Sequence, residues 1–189
     1  LGGHFAEAQG FEKEVCQSVS EHYLPSGLDS RVPKNLYSIT LSLSDKLDTL
    51  VGFFGLDLIP TGSRDPYALR RNTISLVRLI IENKIRIKLR SIINYSLTLF
   101  KEQGYEFDIT KVLKEINNFI LDRLKNYSKE KDIRLDIIES SILSNDIDEL
   151  YNGYKKAEIL NRNIKKELGQ TVVGIYKRSF SILSSEIKK

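Results

Sequence analysis

Apolar residues along this chain recur mostly three and four positions apart, which is the pattern of amphipathic helices. No run of strict alternation is long enough to predict a sheet, so the chain is predicted to be all-α. The clearest helix spans residues 36–54, where one stripe of apolar side chains faces a predicted core. This stripe consists of Leu43, Leu47, Leu50, Val51 and Phe54. The opposite face carries Asp45, Asp48, Thr49 and Gly52.

Turn-forming residues set the ends of the neighbouring helices. A helix over residues 11–23 is predicted to stop at a turn that contains Pro25 and Gly27. Asp65 followed by Pro66 is typical of a helix start, with the carboxylate as the cap and proline at the first helical position. A third helix is therefore predicted from Pro66 to about residue 83. Its apolar stripe consists of Leu69, Leu76, Val77, Ile80 and Ile81.

The remaining chain is helical in pattern, apart from one short segment. Residues 85–90 (IRIKLR) alternate strictly, but six residues between helical patterns favour an extended connector over a paired strand. Further helices are predicted up to residue 100, over 112–127, within 132–143 and from about Ile147 onward. Asp108 is predicted to cap the helix over 112–127, and Ser144 or Asn145 the last one.

The size and composition indicate a folded protein of the cytoplasm. A length of 189 residues fits one large or two small domains, and the 41% of hydrophobic residues are enough for a packed core. A soft boundary near 103–108 divides the chain into a helical domain, residues 1–105, and a helical extension, residues 106–189. No apolar run approaches the roughly 20 residues of a membrane span. The single Cys16 excludes an internal disulfide, which favours a reducing compartment.

Positive charge is concentrated in two stretches. The net charge is only +4, from 29 Lys and Arg against 25 Asp and Glu. Residues 70–90 nevertheless hold seven basic residues and the single acid Glu82. From Lys155 to the end there are nine basic residues and three acidic ones. Clustered cations neutralise polyanions, so this distribution favours a polyanionic partner.

Few residues are suited to catalysis or metal binding. Two histidines and one cysteine are too few for a zinc site of the Cys/His type. The sequence has no phosphate-binding glycine loop, dinucleotide fingerprint or HExxH motif. Asp45 and Asp48 are the best carboxylate pair, since they lie one helical turn apart and could share a cation. With Lys46 adjacent, a solvated or ion-paired helix face is the simpler interpretation.

Residues 45–71 (DKLDTLVGFFGLDLIPTGSRDPYALRR) resemble, in order and spacing, the elements ADKLDTL and PTGSKDPFALRR of the glycyl-tRNA synthetase β subunit family. Shorter likenesses to the family's AxxQG, EHYLP, FxxDRL and KRxxNIL occur at 6–10 (AEAQG), 21–25 (EHYLP), 119–124 (FILDRL) and 177–183 (KRSFSIL). Ser181 departs from the last pattern, where the family has Asn. The resemblance covers nearly the whole chain. It implies a middle section of a much longer protein, without its N-terminal domain or its anticodon-binding domain.

The resemblance implies an HD-like helical fold for residues 1–105, with 106–189 leading toward the anticodon-binding region. Hydrolases of that fold bind metal with a His, a His-Asp pair and a final Asp, and Asp45 matches the final Asp. The chain has no adjacent His-Asp pair, and one carboxylate does not hold a catalytic divalent ion against water. No metal site and no hydrolysis are therefore expected. Asp45 is interpreted as an inherited position that now caps or pairs structurally.

The resemblance also implies a role in charging tRNA-Gly with glycine, in an assembly of two α and two β subunits. There the α subunit activates glycine with ATP and the β subunit grips the tRNA, so this fragment is expected to need no cofactor and to be inactive alone. The candidate tRNA-binding residues are basic side chains near the third helix start and on the last two helices. These candidates are Arg64, Arg70, Arg71, Lys155, Lys156, Lys177 and Arg178.

Alternatives stay open at two levels. Arg70 and Arg71 could instead bridge helices by pairing with Asp45 or Asp48. For the whole chain, three functions compete: a tRNA-binding and scaffolding section, a helical domain that contacts only protein subunits, and an HD-type phosphohydrolase, for which ligands are missing.

Overall fold

A computed structural model describes residues 1–142 and 147–186. Within these residues the chain forms nine α-helices and a 3-10 turn, Ile147–Glu149, and it contains no strand. The helices are α1 (Gly2–Ala8), α2 (Lys13–Glu21), α3 (Leu36–Gly55), α4 (Leu69–Glu82), α5 (Leu89–Glu102), α6 (Ile109–Glu130), α7 (Leu135–Ser141), α8 (Leu150–Asn163) and α9 (Glu167–Glu186). The all-α prediction is confirmed, and the HD-like assignment stays a prediction.

Helix α3 agrees with its predicted stripe. Asn35 caps it, because the side-chain oxygen accepts a hydrogen bond from the Tyr37 amide at 2.8 Å. Four stripe residues are buried, namely Leu47, Leu50, Val51 and Phe54. Leu43 is half-buried and packs against the same core. Asp45 and Asp48, on the opposite face, are exposed as predicted.

Helix α4 begins at Leu69, three residues later than predicted. Asp65 does cap it, since its carboxylate oxygens accept hydrogen bonds from the amides of Leu69 (2.9 Å) and Arg70 (3.0 Å). Pro66 lies in a turn, however, because the Ala68 amide donates to the Asp65 carbonyl oxygen before the helix starts. Ala68 takes a left-handed φ of 53° there. The buried stripe of α4 is the predicted one: Leu69, Leu76, Val77, Ile80 and Ile81.

Other predicted boundaries are partly correct. The helix over 11–23 is shorter than predicted, and α1 precedes it. The sequence did not predict α1, because its seven residues contain one large apolar side chain, Phe5, and so form no stripe. Asp108 caps α6 as predicted, by accepting from the Lys111 amide at 3.1 Å. The predicted cap Ser144 or Asn145 lies outside the described residues.

One cluster of buried side chains runs from Leu47 in α3 to Ala157 in α8. The rings of Phe54 and Phe119 join α3 to α6, with their centroids 5.1 Å apart. A methyl group added to Gly52 would lie 3.1 Å from the Phe100 ring, so glycine at this position lets α5 pack closely on α3. The core therefore crosses the boundary predicted near 103–108. The division into 1–105 and 106–189 stays a prediction.

No residue of α9 whose side chain is described belongs to that core. Seven of the large apolar side chains of this helix are exposed, and six of these recur at helical spacing: Leu168, Val172, Ile175, Tyr176, Phe180 and Leu183. An apolar stripe therefore lies on the surface of α9. None of the described helices is long and apolar enough to cross a membrane.

Candidate nucleic-acid interface

The segment before α4 is held together by Arg70. Its guanidinium donates to the carbonyl oxygen of Gly62 at 2.6 Å and to that of Arg64 at 3.4 Å. Thr61 and Arg64 also form an isolated bridge, with the Arg64 amide 2.9 Å from the Thr61 carbonyl oxygen. Arg70 is half-buried and serves as a structural tie for the loop, which limits its access to phosphate.

Arg64 and Arg71 remain as the exposed arginines beside this helix start. Their guanidinium groups make no hydrogen bond or ion pair with any described residue. The ion pairs suggested between Arg70 or Arg71 and Asp45 or Asp48 are not formed in this part of the chain. The structure therefore brings Arg70 against the Arg64 backbone, with Arg71 next to it in the chain, and leaves the Arg64 and Arg71 side chains exposed.

The candidates on α8 and α9 form no group with this loop. Lys155 pairs with Glu158 at 2.5 Å, and Arg162 pairs with the same carboxylate at 2.7 Å. The hydrogen bond from Lys155 is the main reason why the pKa of Glu158 is lowered. Lys156 and Lys177 are exposed, as are most Lys side chains on helices. Arg178, also exposed, donates to the carbonyl oxygen of Gly174 in its own helix at 3.3 Å.

One arginine of the basic stretch 70–90, Arg78, is buried and therefore unavailable to a polyanionic partner. Nε of Arg78 lies 2.7 Å from Oε1 of Glu82, and an Nη of Arg78 donates to the Gly27 carbonyl oxygen. The Tyr127 hydroxyl donates to the same Glu82 oxygen at 3.4 Å. Burial raises the pKa of Tyr127, and the neighbouring Glu82 carboxylate adds to that effect. Arg78 thus ties the 22–35 loop to α4, and its partner Glu82 joins α4 to Tyr127 of α6.

The remaining basic residues of the stretch lie on the connector between α4 and α5, except Arg90, which lies in the first turn of α5. Four are exposed: Lys84, Arg86, Lys88 and Arg90. Three apolar residues alternate with them and point inward: Ile85 and Ile87 are half-buried and Leu89 is fully buried. Residues 85–88 form a connector without helix or strand, in agreement with the prediction that they are not a paired strand. The sequence-based choice of candidates missed this group, although the strict alternation of IRIKLR was the signal that could have identified it.

Asp45 lies beside an apolar groove. A cavity of about 970 Å³ runs between α3, the connector and α5, with Asp45 and Asp48 among its lining residues. The Asp45 carboxylate has no hydrogen bond or ion pair with the described residues, although its charge acts on the neighbouring Lys46. The interpretation that Asp45 caps or pairs structurally stays a prediction. The neighbouring Lys46 is buried and donates to the carbonyl oxygens of His22 and Tyr23. Burial lowers the pKa of Lys46.

A metal site of the HD type would need several ligands at Asp45. Among residues 1–142 and 147–186, no group of three His, Cys, Asp or Glu side chains is placed to hold a metal ion. His22 and Asp48 line the same groove as Asp45. The His22 ring is engaged elsewhere, with Nδ1 2.7 Å from the Val19 carbonyl oxygen.

Comparison with known proteins identifies the family. Residues 1–143 match the family described as glycyl-tRNA synthetase beta subunit. The glycine–tRNA ligase beta subunit of Rhodospirillum centenum is 36% identical over 189 residues, which are 100% of this chain and 26% of that protein. The beta subunit of Phenylobacterium zucineum is 34% identical over the same length, 25% of that protein. That of Clostridioides difficile is 34% identical over 167 residues, 88% of this chain and 24% of that protein.

These matches, together with the all-α fold, place the chain in a family of aminoacyl-tRNA synthetase subunits. The chain belongs to the glycyl-tRNA synthetase beta subunit family. It spans about a quarter of the length of the curated relatives that it matches.

Proposed function

We propose that this chain is a tRNA-binding and scaffolding section of a glycine–tRNA ligase beta subunit, which supports the ATP-dependent attachment of glycine to tRNA-Gly in the cytoplasm. The observation that carries the proposal is the pair of exposed arginines, Arg64 and Arg71, beside a loop that Arg70 holds in place, in a chain of this family. Arginine guanidinium groups bind phosphate oxygens in pairs, and each neutralised phosphate releases condensed counterions.

The chemical step is assigned to other parts of the enzyme. The sequence contains no recognisable ATP-binding loop, and no cofactor is assigned to this section. ATP would be used by the whole ligase, in an assembly of two alpha and two beta subunits. This section would then affect how tRNA is bound and placed, and it would leave glycine activation unchanged.

Binding of a tRNA-Gly transcript to the 189-residue chain over a salt series tests the proposal. Each phosphate contact contributes about 0.7 to 0.9 to the slope of log affinity against log salt concentration. Arg64→Gln with Arg71→Gln should lower that slope by about 1.5, whereas Lys101→Gln with Lys114→Gln, which removes the same charge elsewhere, should leave it unchanged. Weak binding by the unmodified chain with a flat salt dependence would overturn the proposal.

A second candidate function is attachment to the alpha subunit without contact to tRNA. The groove beside α3 favours it, because its walls are mainly apolar and the exposed acids Asp45 and Asp48 lie in them without an ion pair to the described residues. The occupant that this charge fits is an amphipathic helix of the alpha subunit with Lys or Arg beside its apolar stripe.

Sedimentation of the full beta subunit with the alpha subunit tests this second function. Asp45→Asn with Asp48→Asn should weaken assembly several-fold and leave tRNA binding by the beta subunit intact. Asp29→Asn with Asp122→Asn removes two other exposed acids and serves as the matched control. Equal assembly by both variants would overturn the groove as the attachment site.

A further inference from the structure

The connector between α4 and α5 carries its basic residues in a fixed arrangement. Successive side chains of an extended segment point to opposite sides, so residues two apart share a side. Within residues 85–88, Ile85 and Ile87 are half-buried, and Arg86 and Lys88 are exposed; Lys84, in the turn that follows α4, is exposed as well. A shift by one residue would bury the cations and expose the isoleucines, which is strongly unfavourable. The apolar positions therefore hold the basic side chains on the outer side.

The three cations that precede α5 are not paired with acids of the described residues. Lys84, Arg86 and Lys88 form no ion pair with any residue in 1–142 or 147–186. Glu82, the one acid within 70–90, is occupied by Arg78 and Tyr127. In this respect the connector cations differ from Arg70, which donates to backbone carbonyl oxygens, and from Lys155, which is ion-paired.

Neighbouring residues restrain the Arg86 side chain and occupy the N-terminus of α5. The Arg86 guanidinium lies over the Tyr151 ring, 5.8 Å from its centroid, an arrangement that restrains the side chain and keeps its N–H groups available at the edge. The Asp148 carboxylate accepts a hydrogen bond from the Arg90 amide at 2.8 Å, so it occupies the N-terminus of α5. An anion that binds here would consequently be held by the side chains of the connector.

We propose that Lys84, Arg86 and Lys88, the connector row, bind the phosphate backbone of an RNA strand. The proposal rests on the tRNA-binding function above and adds a second contact surface, distinct from Arg64 and Arg71. Arg86 and Lys88 are two residues apart on the connector, a separation of about 6.6 Å between Cα atoms where a chain is fully extended. Lys84 extends the row toward α4, so that several phosphates of one strand can be neutralised together.

The chemistry of the row predicts positioning without sequence readout. Lys binds a phosphate as a point charge and Arg can bind two of its oxygens, and neither contact depends on the base. The row should therefore hold any RNA strand of suitable shape, and its binding should be strongly dependent on salt. Discrimination among tRNAs would come from other parts of the enzyme.

The test compares two variants that each remove three positive charges. The row variant is Lys84→Gln, Arg86→Gln and Lys88→Gln, and the control variant is Lys13→Gln, Lys114→Gln and Lys129→Gln, all at exposed positions. Affinity for a tRNA-Gly transcript is measured over a salt series, and thermal unfolding is followed to show that both variants fold. The row variant should lose about tenfold in affinity at low salt, and its log–log salt slope should fall by about 2. The control should stay within about twofold of the unmodified chain.

The outcomes separate this inference from the function on which it rests. If the unmodified chain binds tRNA with a steep salt dependence and the row and control variants lose equal affinity, the row is refuted and the tRNA-binding function stands. If the unmodified chain shows no salt-dependent binding, both fail. A further variant, Lys84→Arg with Lys88→Arg, keeps the charge and should bind like the unmodified chain. A tenfold loss in this charge-preserving variant would also overturn the proposal.

Discussion

The Arg70 guanidinium lies 2.6 Å from the carbonyl oxygen of Gly62, eight residues earlier in the chain. This contact joins α4 to the loop that precedes it. The Asp65 carboxylate makes a second connection, because it accepts a hydrogen bond from the Arg70 amide. The adjacent residues Arg70 and Arg71 therefore have different roles. Arg70 maintains the shape of the loop, while Arg71 is exposed beside it.

Separate substitutions should distinguish these roles. Arg70→Ala should lower the free energy of unfolding by about 1 kcal/mol, because two backbone carbonyl groups lose a charged donor. Arg71→Ala should leave stability unchanged within about 0.5 kcal/mol, as is usual for an exposed side chain. Urea unfolding of both variants measures the difference.

The full ligase provides a second measurement for the same pair. Arg71→Ala should weaken tRNA charging and leave glycine-dependent exchange of pyrophosphate into ATP intact. Arg70→Ala should weaken tRNA charging only as far as the loop changes its conformation. Equal loss of charging and exchange in Arg71→Ala would show that this residue does not act through tRNA.

The cap of α4 gives a second prediction. Asp65 satisfies two amides at the start of this helix, at Leu69 and Arg70. Replacement of a capping carboxylate usually costs about 1 kcal/mol, so Asp65→Ala should destabilise the chain by that amount. Asp65→Asn keeps one acceptor oxygen and should lose less. The exposed Asp122 supplies the control, since Asp122→Ala removes no cap.

The location of helices was predictable where a complete face is buried. The stripes of α3 and α4 contain enough apolar residues to specify both the helix and its inner face, and all of those residues pack as expected. The first residue of α4 was harder to predict from the sequence. Asp65 can satisfy helix amides as the residue before the helix or from a turn four residues earlier, and both arrangements use the same Asp-Pro pair.

The candidate site was predicted only as a region. Charge counts identified residues 70–90 and the resemblance identified the family, but neither determines which guanidinium reaches solvent. That depends on packing: Arg78 meets Glu82 and Gly27 inside the fold, and Arg70 turns back to Gly62. The connector row was visible in the alternation of residues 85–90, since isoleucine at every second position requires one buried side.

The Arg78–Glu82 pair gives a third prediction. The Arg78 side chain is 8% exposed and that of Glu82 is 29% exposed. Glu82→Ala should cost about 2 kcal/mol, less than the 3–5 kcal/mol of a fully buried pair, because it leaves the Arg78 charge without its partner. Arg78→Leu with Glu82→Leu should cost less than the sum of the single changes. Urea unfolding of the four chains measures this coupling, and strict additivity would contradict it.

Stability in acid should depend on Glu21. Its side chain is 7% exposed, and Oε1 lies 3.0 Å from an Nη of Arg31. Burial by itself would raise the pKa of this carboxyl, but the neighbouring Ser38 and Gln17 side chains and the Arg31 charge outweigh burial and lower the pKa below 4.5. The unfolded chain consequently binds more protons than the folded one at pH values between the two pKa values.

The sign of this difference fixes the pH dependence. Glu21 contributes its full stabilisation above the unfolded value of 4.5, and the contribution is lost as the pH falls through the lower folded value. Glu21→Gln should therefore be less stable than the unmodified chain near neutral pH, and the gap should narrow as the solution is acidified below 4.5. Urea unfolding at a series of acidic pH values measures the gap. Glu14→Gln, at an exposed position in the same helix, should run parallel to the unmodified chain. A Glu21→Gln curve that also runs parallel would show that this carboxylate does not couple folding to pH.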